Sequence, residues 1–144
     1  MSKISILTAV FNRQNSIARA LESIKSQTFR DIECVVVDGE STDGTMELLP
    51  SILGPQDKLL SEPDKGAYDA LNKGLLLASG EVIGLLHSDD YYEDRNVLSR
   101  VMEIFETQNV DLVYGDASFF NKGDLATTVR KYKSPPLSKK NLAW

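Results

Sequence analysis

Two adjacent aspartates at the end of an apolar run are the most chemically suggestive residues of this sequence. Residues 82–86 are apolar and lead into Ser88, Asp89 and Asp90, a pattern that predicts a buried strand with two carboxylates at its C-terminal end. Neighbouring carboxylates repel one another, and a bound cation relieves that repulsion. Because Mg²⁺ and Mn²⁺ prefer oxygen ligands, and Mg²⁺ often shares its carboxylates with substrate phosphates, the pair suggests a metal–diphosphate site. Aspartates also favour turns, so the pair alone leaves open a simple turn before the next helix.

The elements that must position this pair follow a regular alternation. Apolar segments with strand composition are separated by segments with helical spacing, which predicts an α/β fold with a mostly parallel sheet, right-handed crossovers and helices on both faces. Asn15 or Ser16, Asp43 and Asp94 are candidate helix caps, and Gly80 is placed to end the third helix. The predicted strands are residues 3–10, 32–37, 58–62, 82–86, 111–120 and 125–132, and the predicted helices are residues 17–24, 46–52, 66–79 and 97–105.

The topology of such a sheet predicts where a ligand binds. Ligands of open α/β sheets lie beyond the carboxyl ends of the strands, near the point where the strand order reverses. If the first and fourth strands are neighbours, the strand ends at residues 8–12, 38–39 and 88–90 converge there. These three strand ends are therefore the predicted site.

Composition and charge restrict the class of protein. The chain has 144 residues, 42% of them hydrophobic and 26% charged, as expected for one soluble globular domain. No apolar stretch approaches the roughly 20 residues that span a bilayer, and the N-terminus lacks a signal-peptide pattern. The single cysteine, Cys34, excludes an internal disulfide and fits a reducing cytoplasm.

The charge is unevenly distributed along the chain. The net charge is −5, yet residues 130–144 contain basic residues and no acidic one. The acidic body argues against nucleic acid as the main partner. The basic tail suits an anionic acceptor or a membrane surface, and an ordinary solvated segment is the alternative. Its basic residues are Arg130, Lys131, Lys133, Lys139 and Lys140.

Three ordered motifs carry a resemblance to a known family. SILTAVFNR, then SIKSQTFRDIECVVVDGESTDGT, then SEPDKGAYDALNKGLLLASGEVIGLLHSDD together resemble the N-terminal part of a family 2 glycosyltransferase. The resemblance is closest to the bacterial branch that assembles O-antigen, capsule and colanic-acid-type polysaccharides. It runs from Lys3 to about Gly115.

The resemblance implies a fold, a reaction and partners. The fold would be a GT-A (Rossmann-like) nucleotide-binding sheet, and the enzyme would transfer a sugar from a nucleotide-diphospho-sugar, first of all a UDP-sugar. The acceptor would be a saccharide or a lipid-linked saccharide. Transfer would be assisted by Mg²⁺ or Mn²⁺ and would invert the anomeric carbon. The protein would work in the cytoplasm or peripherally at the inner face of the membrane, in an oligomeric state that the sequence leaves open.

The resemblance also implies roles for the nucleoside-binding residues. Thr8, Ala9 and Phe11 would line the base and ribose through main-chain groups and the Phe11 ring. Asp38 would accept hydrogen bonds from the base or ribose; the alternative is a strand-end aspartate that binds loop amides. Many relatives carry two acids here, whereas this chain has Asp38 followed by Gly39.

For the metal and phosphates, the resemblance makes Ser88–Asp90 the motif loosely called DXD. Asp90 would bind the metal directly, and Asp89 would contact the ribose or metal-bound water. Lys65, just before a helix, would contact a phosphate; an ordinary solvated lysine is the alternative. His87, the only histidine, suits a packing role better than that of the base, because it precedes the metal motif on the donor side.

The sequence provides no confident catalytic base. In relatives this base is normally an acid in the acceptor-side part that follows, so residues 1–133 are predicted to be the nucleotide-sugar-binding domain and residues 134–144 the start of a truncated acceptor-side region. A truncated, non-catalytic nucleotide-sugar-binding domain is therefore the alternative function. A phosphate-loop or dinucleotide reading lacks its glycine signatures, and a receiver domain would need acids after the first strand.

Overall fold

The computed structural model describes residues 3–121 and 123–136. They belong to two compact units, Met1–Glu103 and Ile104–Trp144. The predicted helices and strands are present, with ends that differ by a few residues. In chain order the elements are β1 (Ile4–Val10), α1 (Ile17–Lys25), β2 (Ile32–Asp38), α2 (Thr45–Ile52), β3 (Lys58–Ser61), α3 (Ala67–Leu77), β4 (Val82–Leu85), α4 (Val97–Thr107), β5 (Ala117–Asn121) and β6 (Asp124–Tyr132).

The first unit is built on a parallel four-stranded sheet in the order β3-β2-β1-β4. The predicted pairing of the first and fourth strands is confirmed, with Ile4 opposite Val82 and Leu7 opposite Leu85. The strand order reverses at β1, because β2 and β3 extend the sheet to one side and β4 lies on the other. In open α/β sheets ligands bind at such a reversal, which here lies at the carboxyl ends of β1, β2 and β4.

The helices cover the sheet as the apolar spacing predicts. Right-handed crossovers put α1 and α2 on one face, where they contact each other, and put α3 on the opposite face against β1 and β2. The residues of α1 that repeat every three to four positions are fully buried. They are Ile17, Ala20, Leu21 and Ile24.

The amino-terminal edge of the sheet is held by a buried carboxylate, Glu33 on β2. Its oxygens accept hydrogen bonds from Ser5 Oγ at 2.5 Å and from the amide and hydroxyl of Ser79 at 2.9 and 2.8 Å. Lys3 and Lys58 place their Nζ atoms 3.1 and 3.2 Å away. Burial alone would raise the pKa of Glu33, but the hydrogen bonds from Ser5, Ser79 and Lys3 outweigh it and hold the pKa well below its usual range.

The second unit contains an antiparallel hairpin of β5 and β6. A strand over residues 111–120 was predicted, but β5 begins only at Ala117. Just before β5 the chain bonds to Ser134 instead of a strand partner, because the Ser134 hydroxyl donates to Gly115 O and its amide to Asp116 Oδ1. Of the predicted acceptor-side region, residues 137–144 lie outside the described residues. Within residues 3–121 and 123–136, no helix is long and apolar enough to cross a membrane.

Candidate functional site

Three strand ends meet at the carboxyl edge of the sheet, as predicted. Val10 is opposite Asp38, and the Gly39 amide donates to Val10 O at 2.9 Å. On the other side of β1, the Leu86 amide donates to Leu7 O at 3.1 Å. β4 therefore leaves β1 just beyond Leu7, while β2 stays paired to the end.

The last residues of β1 differ in what they offer a ligand. Thr8 is buried, and its hydroxyl has no hydrogen-bond partner within residues 3–121 and 123–136. Ala9 is half-buried, and the Phe11 ring is 56% exposed. Successive residues of a strand direct their main-chain groups to opposite neighbours, and Val10 O faces β2. The amide and carbonyl of Ala9 consequently face the side that β4 has left.

Asp38 is fully buried at the end of β2. Its carboxylate accepts the Ser41 amide at 3.1 Å and the Ser61 hydroxyl at 2.7 Å. Its carbonyl accepts the Glu62 amide at 3.0 Å. The structure thus shows Asp38 binding loop groups, and its contact with a base or ribose stays a prediction.

A second carboxylate lies beside Asp38, although the sequence has glycine at position 39. A Cβ atom on Gly39 would lie 2.6 Å from Asp64 Oδ2, which is closer than a Cβ atom normally comes to another heavy atom. Asp64 Oδ1 accepts the Gly66 amide at 2.8 Å, which fixes the side chain at the start of α3. Asp64 therefore occupies the space that a side chain at position 39 would take.

The loops after β1 and β2 are joined by reciprocal hydrogen bonds. The Asn12 amide donates to Ser41 Oγ at 2.8 Å, and Asn12 Oδ1 accepts the Thr42 amide at 2.9 Å. Asn12 has a φ of 51°, a left-handed conformation that asparagine tolerates better than most residues. Asp43 accepts hydrogen bonds from the amides of Gln14 and Thr45. The predicted cap of α2 was Asp43, whereas the observed N-cap residue is Gly44, and Asp43 binds the first amide of the helix from the position before it.

The loop before α3 is held by Asp69. Asp69 Oδ2 accepts the Lys65 amide at 3.0 Å and lies 3.4 Å from Lys73 Nζ. The same ammonium pairs with Glu62 at 2.9 Å. Lys65 itself is exposed at the amino end of the helix.

The acid pair follows β4 in a tight turn. Ser88 is buried, whereas Asp89 and Asp90 are exposed, and the Asp90 amide donates to His87 O at 3.0 Å. Partial burial and the negative charge of Asp89 raise the pKa of Asp90, and the charges of His87 and Arg19 partly offset this. His87 is itself exposed, and its carbonyl accepts the hydrogen bond that closes the turn.

Arg19 of α1 reaches this turn from across the site. Its Nη2 donates to the Asp89 carbonyl at 3.2 Å, and its Cζ lies 4.9 Å from the centre of the Tyr91 ring. The guanidinium therefore contacts the backbone of one acid and the ring next to the other.

Comparison with known proteins identifies the family. The sequence model described as Glycosyl transferase family 2 matches residues 5–142. The chain belongs to glycosyl transferase family 2. An uncharacterized glycosyltransferase of Nostoc sp. (strain PCC 7120) is 30% identical over 139 residues, covering 94% of this chain and 43% of the relative. A PGL/p-HBAD biosynthesis glycosyltransferase of Mycobacterium bovis (strain BCG) is 38% identical over 117 residues, covering 78% of this chain and 45% of the relative.

This glycosyltransferase chain spans less than half the length of those curated relatives. Among solved structures, S. aureus TarS 1–349 in complex with UDP has a TM-score of 0.65 at 28% identity, covering 72% of this chain and 32% of that one. The mannosyltransferase PcManGT from Pyrobaculum calidifontis, in complex with GDP-Man and Mn²⁺, has a TM-score of 0.68 at 24% identity, covering 84% and 36%. These likenesses confirm the predicted GT-A fold.

The acidic side chains that follow β4 fit a divalent cation that shares its ligands with a substrate. Residues 3–121 and 123–136 contain no cluster of three or more His, Cys, Asp or Glu side chains that would hold a metal alone. Asp89 and Asp90 supply two exposed carboxylates at the sheet edge. Mg²⁺ is usually bound by one or two carboxylates together with phosphate oxygens. Asp89 and Asp90 therefore fit a divalent cation of this kind.

Sequence reasoning missed two residues of this site. Asp64 belongs to the EPDKG segment, but only the structure shows that it lies over Gly39. Arg19 and Asp89 are 70 positions apart, and no local pattern connects them. The available signal was the spacing of Arg19, Ser23 and Gln27, polar residues that recur every four positions along α1 and just beyond its end.

Proposed function

We propose that this chain is the donor-binding part of a glycosyltransferase that uses a nucleotide-diphospho-sugar, with a UDP-sugar as the first candidate. The observation that carries the proposal is the meeting of three strand ends, followed by Phe11, Asp38 and the Asp89–Asp90 pair, at the edge where strand order reverses. The likeness to TarS, which was solved with UDP, supports the choice of nucleotide.

The nucleoside would lie against the ends of β1 and β2. Phe11 offers an exposed ring for stacking, and Ala9 offers main-chain groups on the side that β4 leaves. Asp38 would accept a hydrogen bond from the base or ribose in place of one of its present bonds to Ser41 and Ser61. Asp64, which fills the space over Gly39, would bring a second carboxylate to the same place. Carboxylates accept hydrogen bonds, which favours bases with ring N–H donors, such as uracil, thymine and guanine.

The metal would be held by Asp90, with Asp89 binding the ribose or a metal-bound water. A divalent cation at this position would neutralise the negative charge that develops on the departing nucleoside diphosphate. Mg²⁺ and Mn²⁺ both match the all-oxygen donor set. The turn closed by the Asp90 amide and His87 O holds the two carboxylates next to each other before the ligand arrives.

Lys65 and the amino end of α3 would face the diphosphate. Lys65 is exposed, and its amide is already turned toward Asp69, the first-turn acid of α3. Helix amino ends favour anions because their first amide groups lack helical partners. Lys65 would add a positive charge to that site.

The transfer itself would be a single displacement at the anomeric carbon. An acceptor hydroxyl of a saccharide or lipid-linked saccharide would form the new C–O bond as the bond to the diphosphate breaks, which inverts the configuration. The proton of that hydroxyl passes to a base on the acceptor side. Arg130, Lys131 and Lys133 would favour an anionic acceptor or a membrane surface.

Asp90→Asn tests the metal assignment directly. The amide is nearly the same size but lacks the charge, so we expect the Mn²⁺-dependent part of nucleotide affinity to fall by about tenfold or more while circular dichroism stays unchanged. Asp31→Asn, an exposed aspartate at the opposite end of the sheet, is the matched control. Mn²⁺-dependent affinity that survives Asp90→Asn unchanged would refute the metal role.

A further inference from the structure

A row of polar residues that begins on α1 and continues just beyond its end contacts the segment after the acid pair. Arg19, Ser23 and Gln27 follow one another every four positions, so they lie on one side of the chain as it leaves the helix. Their partners are residues 89–98, which lead from the acid pair into α4.

The contacts of the row proceed in order along that segment. Ser23 Oγ accepts the Tyr92 amide at 3.2 Å. Gln27 Nε2 donates to Asp94 O at 2.7 Å, and Gln27 Oε1 accepts the Leu98 amide at 2.9 Å. Gln27 is fully buried, so its bonds are shielded from water and define the position of the segment.

Arg19 forms the end of the row nearest to the acids. Its Nη2 binds the Asp89 carbonyl while its guanidinium lies over the Tyr91 ring, so it holds the chain on both sides of Asp90. Arg19 Nε is buried without a hydrogen-bond partner in the described part of the chain. Leaving a buried donor unpaired costs stability, so the arginine is held in this position at a cost to the fold.

We propose that Arg19 is a positioning residue that orients the Asp89–Asp90 turn for metal binding. The inference rests on the proposed metal role of that turn. Arg19 acts through the backbone of Asp89 and the ring of Tyr91, and it leaves both carboxylates free for the ligand. A planar guanidinium can bind a carbonyl at its edge and stack through its face at the same time, whereas a lysine ammonium cannot.

Two measurements on the full chain test this role. The first is amide hydrogen exchange of residues 87–95 without metal, in wild type, Arg19→Ala and Arg19→Lys. The second is the Mn²⁺ concentration that gives half of the metal-dependent UDP binding in each protein. Arg30→Ala removes an exposed arginine from the loop after α1 and serves as the control of matched charge.

We expect faster exchange at residues 87–95 in both Arg19 variants, and a half-saturating Mn²⁺ concentration raised by about tenfold, as when residues that orient metal ligands are removed. Arg30→Ala should match wild type in both measurements. Exchange that is unchanged in Arg19→Ala, or wild-type behaviour of Arg19→Lys, would overturn the positioning role. Faster exchange in a protein whose wild type binds no UDP would support the positioning of the turn and refute the proposed function instead.

Discussion

At position 39 the absence of a side chain decides what lies next to the buried Asp38. The Asp64 carboxylate occupies that space, so an acid from the loop before α3 stands where an acid from the loop after β2 would otherwise reach. The atom nearest to position 39 is Oδ2, at the end of the flexible Asp64 side chain. A substitution at position 39 can therefore move this carboxylate without disturbing the fold.

Gly39→Ala should displace Asp64 without unfolding the protein. The new Cβ would lie 2.6 Å from Asp64 Oδ2, and a side chain can rotate away, so we expect the free energy of unfolding to change by less than about 1 kcal/mol. If Asp64 accepts a hydrogen bond from the base, UDP affinity should fall by about tenfold, the equivalent of one charge-assisted bond. Denaturant unfolding and calorimetry measure the two quantities.

The control for that substitution is Gly115→Ala, because a Cβ at Gly115 meets no atom within 4 Å. It should leave both the stability and the affinity unchanged. Wild-type UDP affinity in Gly39→Ala would show that Asp64 does not contact the nucleotide.

Individual candidate residues could be predicted from the sequence where they follow the end of a predicted strand. Asp38, Asp89 and Asp90 each follow a β-branched or apolar run, and the structure brings their strands together. The hydrogen-bond partners of Asp38 could not be predicted, because Ser41 and Ser61 reach its carboxylate only in the folded chain. Arg19 was missed for the same reason.

At the scale of elements, β1, β2 and the loop before β4 are joined by the buried Glu33. The carboxylate links Ser5 of β1 to Ser79 after α3, while the Gly80 amide donates to Ser5 Oγ at 2.9 Å. A Cβ on Gly80 would lie 2.6 Å from the Ser5 amide nitrogen, so the chain passes too close to β1 for any other residue. These contacts thus fix the amino edge of the sheet, opposite the carboxyl edge at which we propose that the nucleotide binds.

Glu33→Gln should destabilise the protein at neutral pH by about 3 kcal/mol, because it removes one partner of a buried charge network. The pKa of Glu33 is lower in the folded chain than its usual 4.5, so its contribution is fully present above that pH and is lost as the pH falls. The difference from wild type should therefore narrow by about 1.4 kcal/mol per pH unit below 4.5. Urea unfolding at several pH values measures this.

Glu22→Gln, on the exposed side of α1, is the control and should follow wild type at every pH. A constant difference between Glu33→Gln and wild type from pH 7 to pH 3 would contradict the charged state of Glu33.

The types of the helices and strands were predictable because apolar residues recur along them with a clear period. The burial of Ile17, Leu21 and Ile24 follows the helical period, and β1 and β2 are mostly apolar and almost continuously buried, as expected of central parallel strands. The start of β5 was not predictable, because Gly115 and Asp116 just before it bond to Ser134, a residue beyond the hairpin. Tertiary contacts decide such ends, and local composition does not contain them.

At the scale of the whole molecule, the order of the motifs carried more information than any one motif. An isolated Asp-Asp pair is compatible with a turn, but three motifs in sequence indicated the family, and the match over residues 5–142 confirms it. The chain spans 43% of one curated relative and 45% of another. The motifs of the donor side offered a candidate residue for each part of the nucleotide, and no motif pointed to a residue as the acceptor-side base.

The most direct test of the proposed donor site is a calorimetric titration of the whole chain with UDP, GDP and dTDP, each with and without Mn²⁺. We expect that at least one nucleotide, with UDP first, binds measurably and that Mn²⁺ strengthens this binding, because Asp89 and Asp90 need the cation to approach a diphosphate. Failure of all three nucleotides to bind, or binding that is indifferent to Mn²⁺, would contradict the proposed donor site.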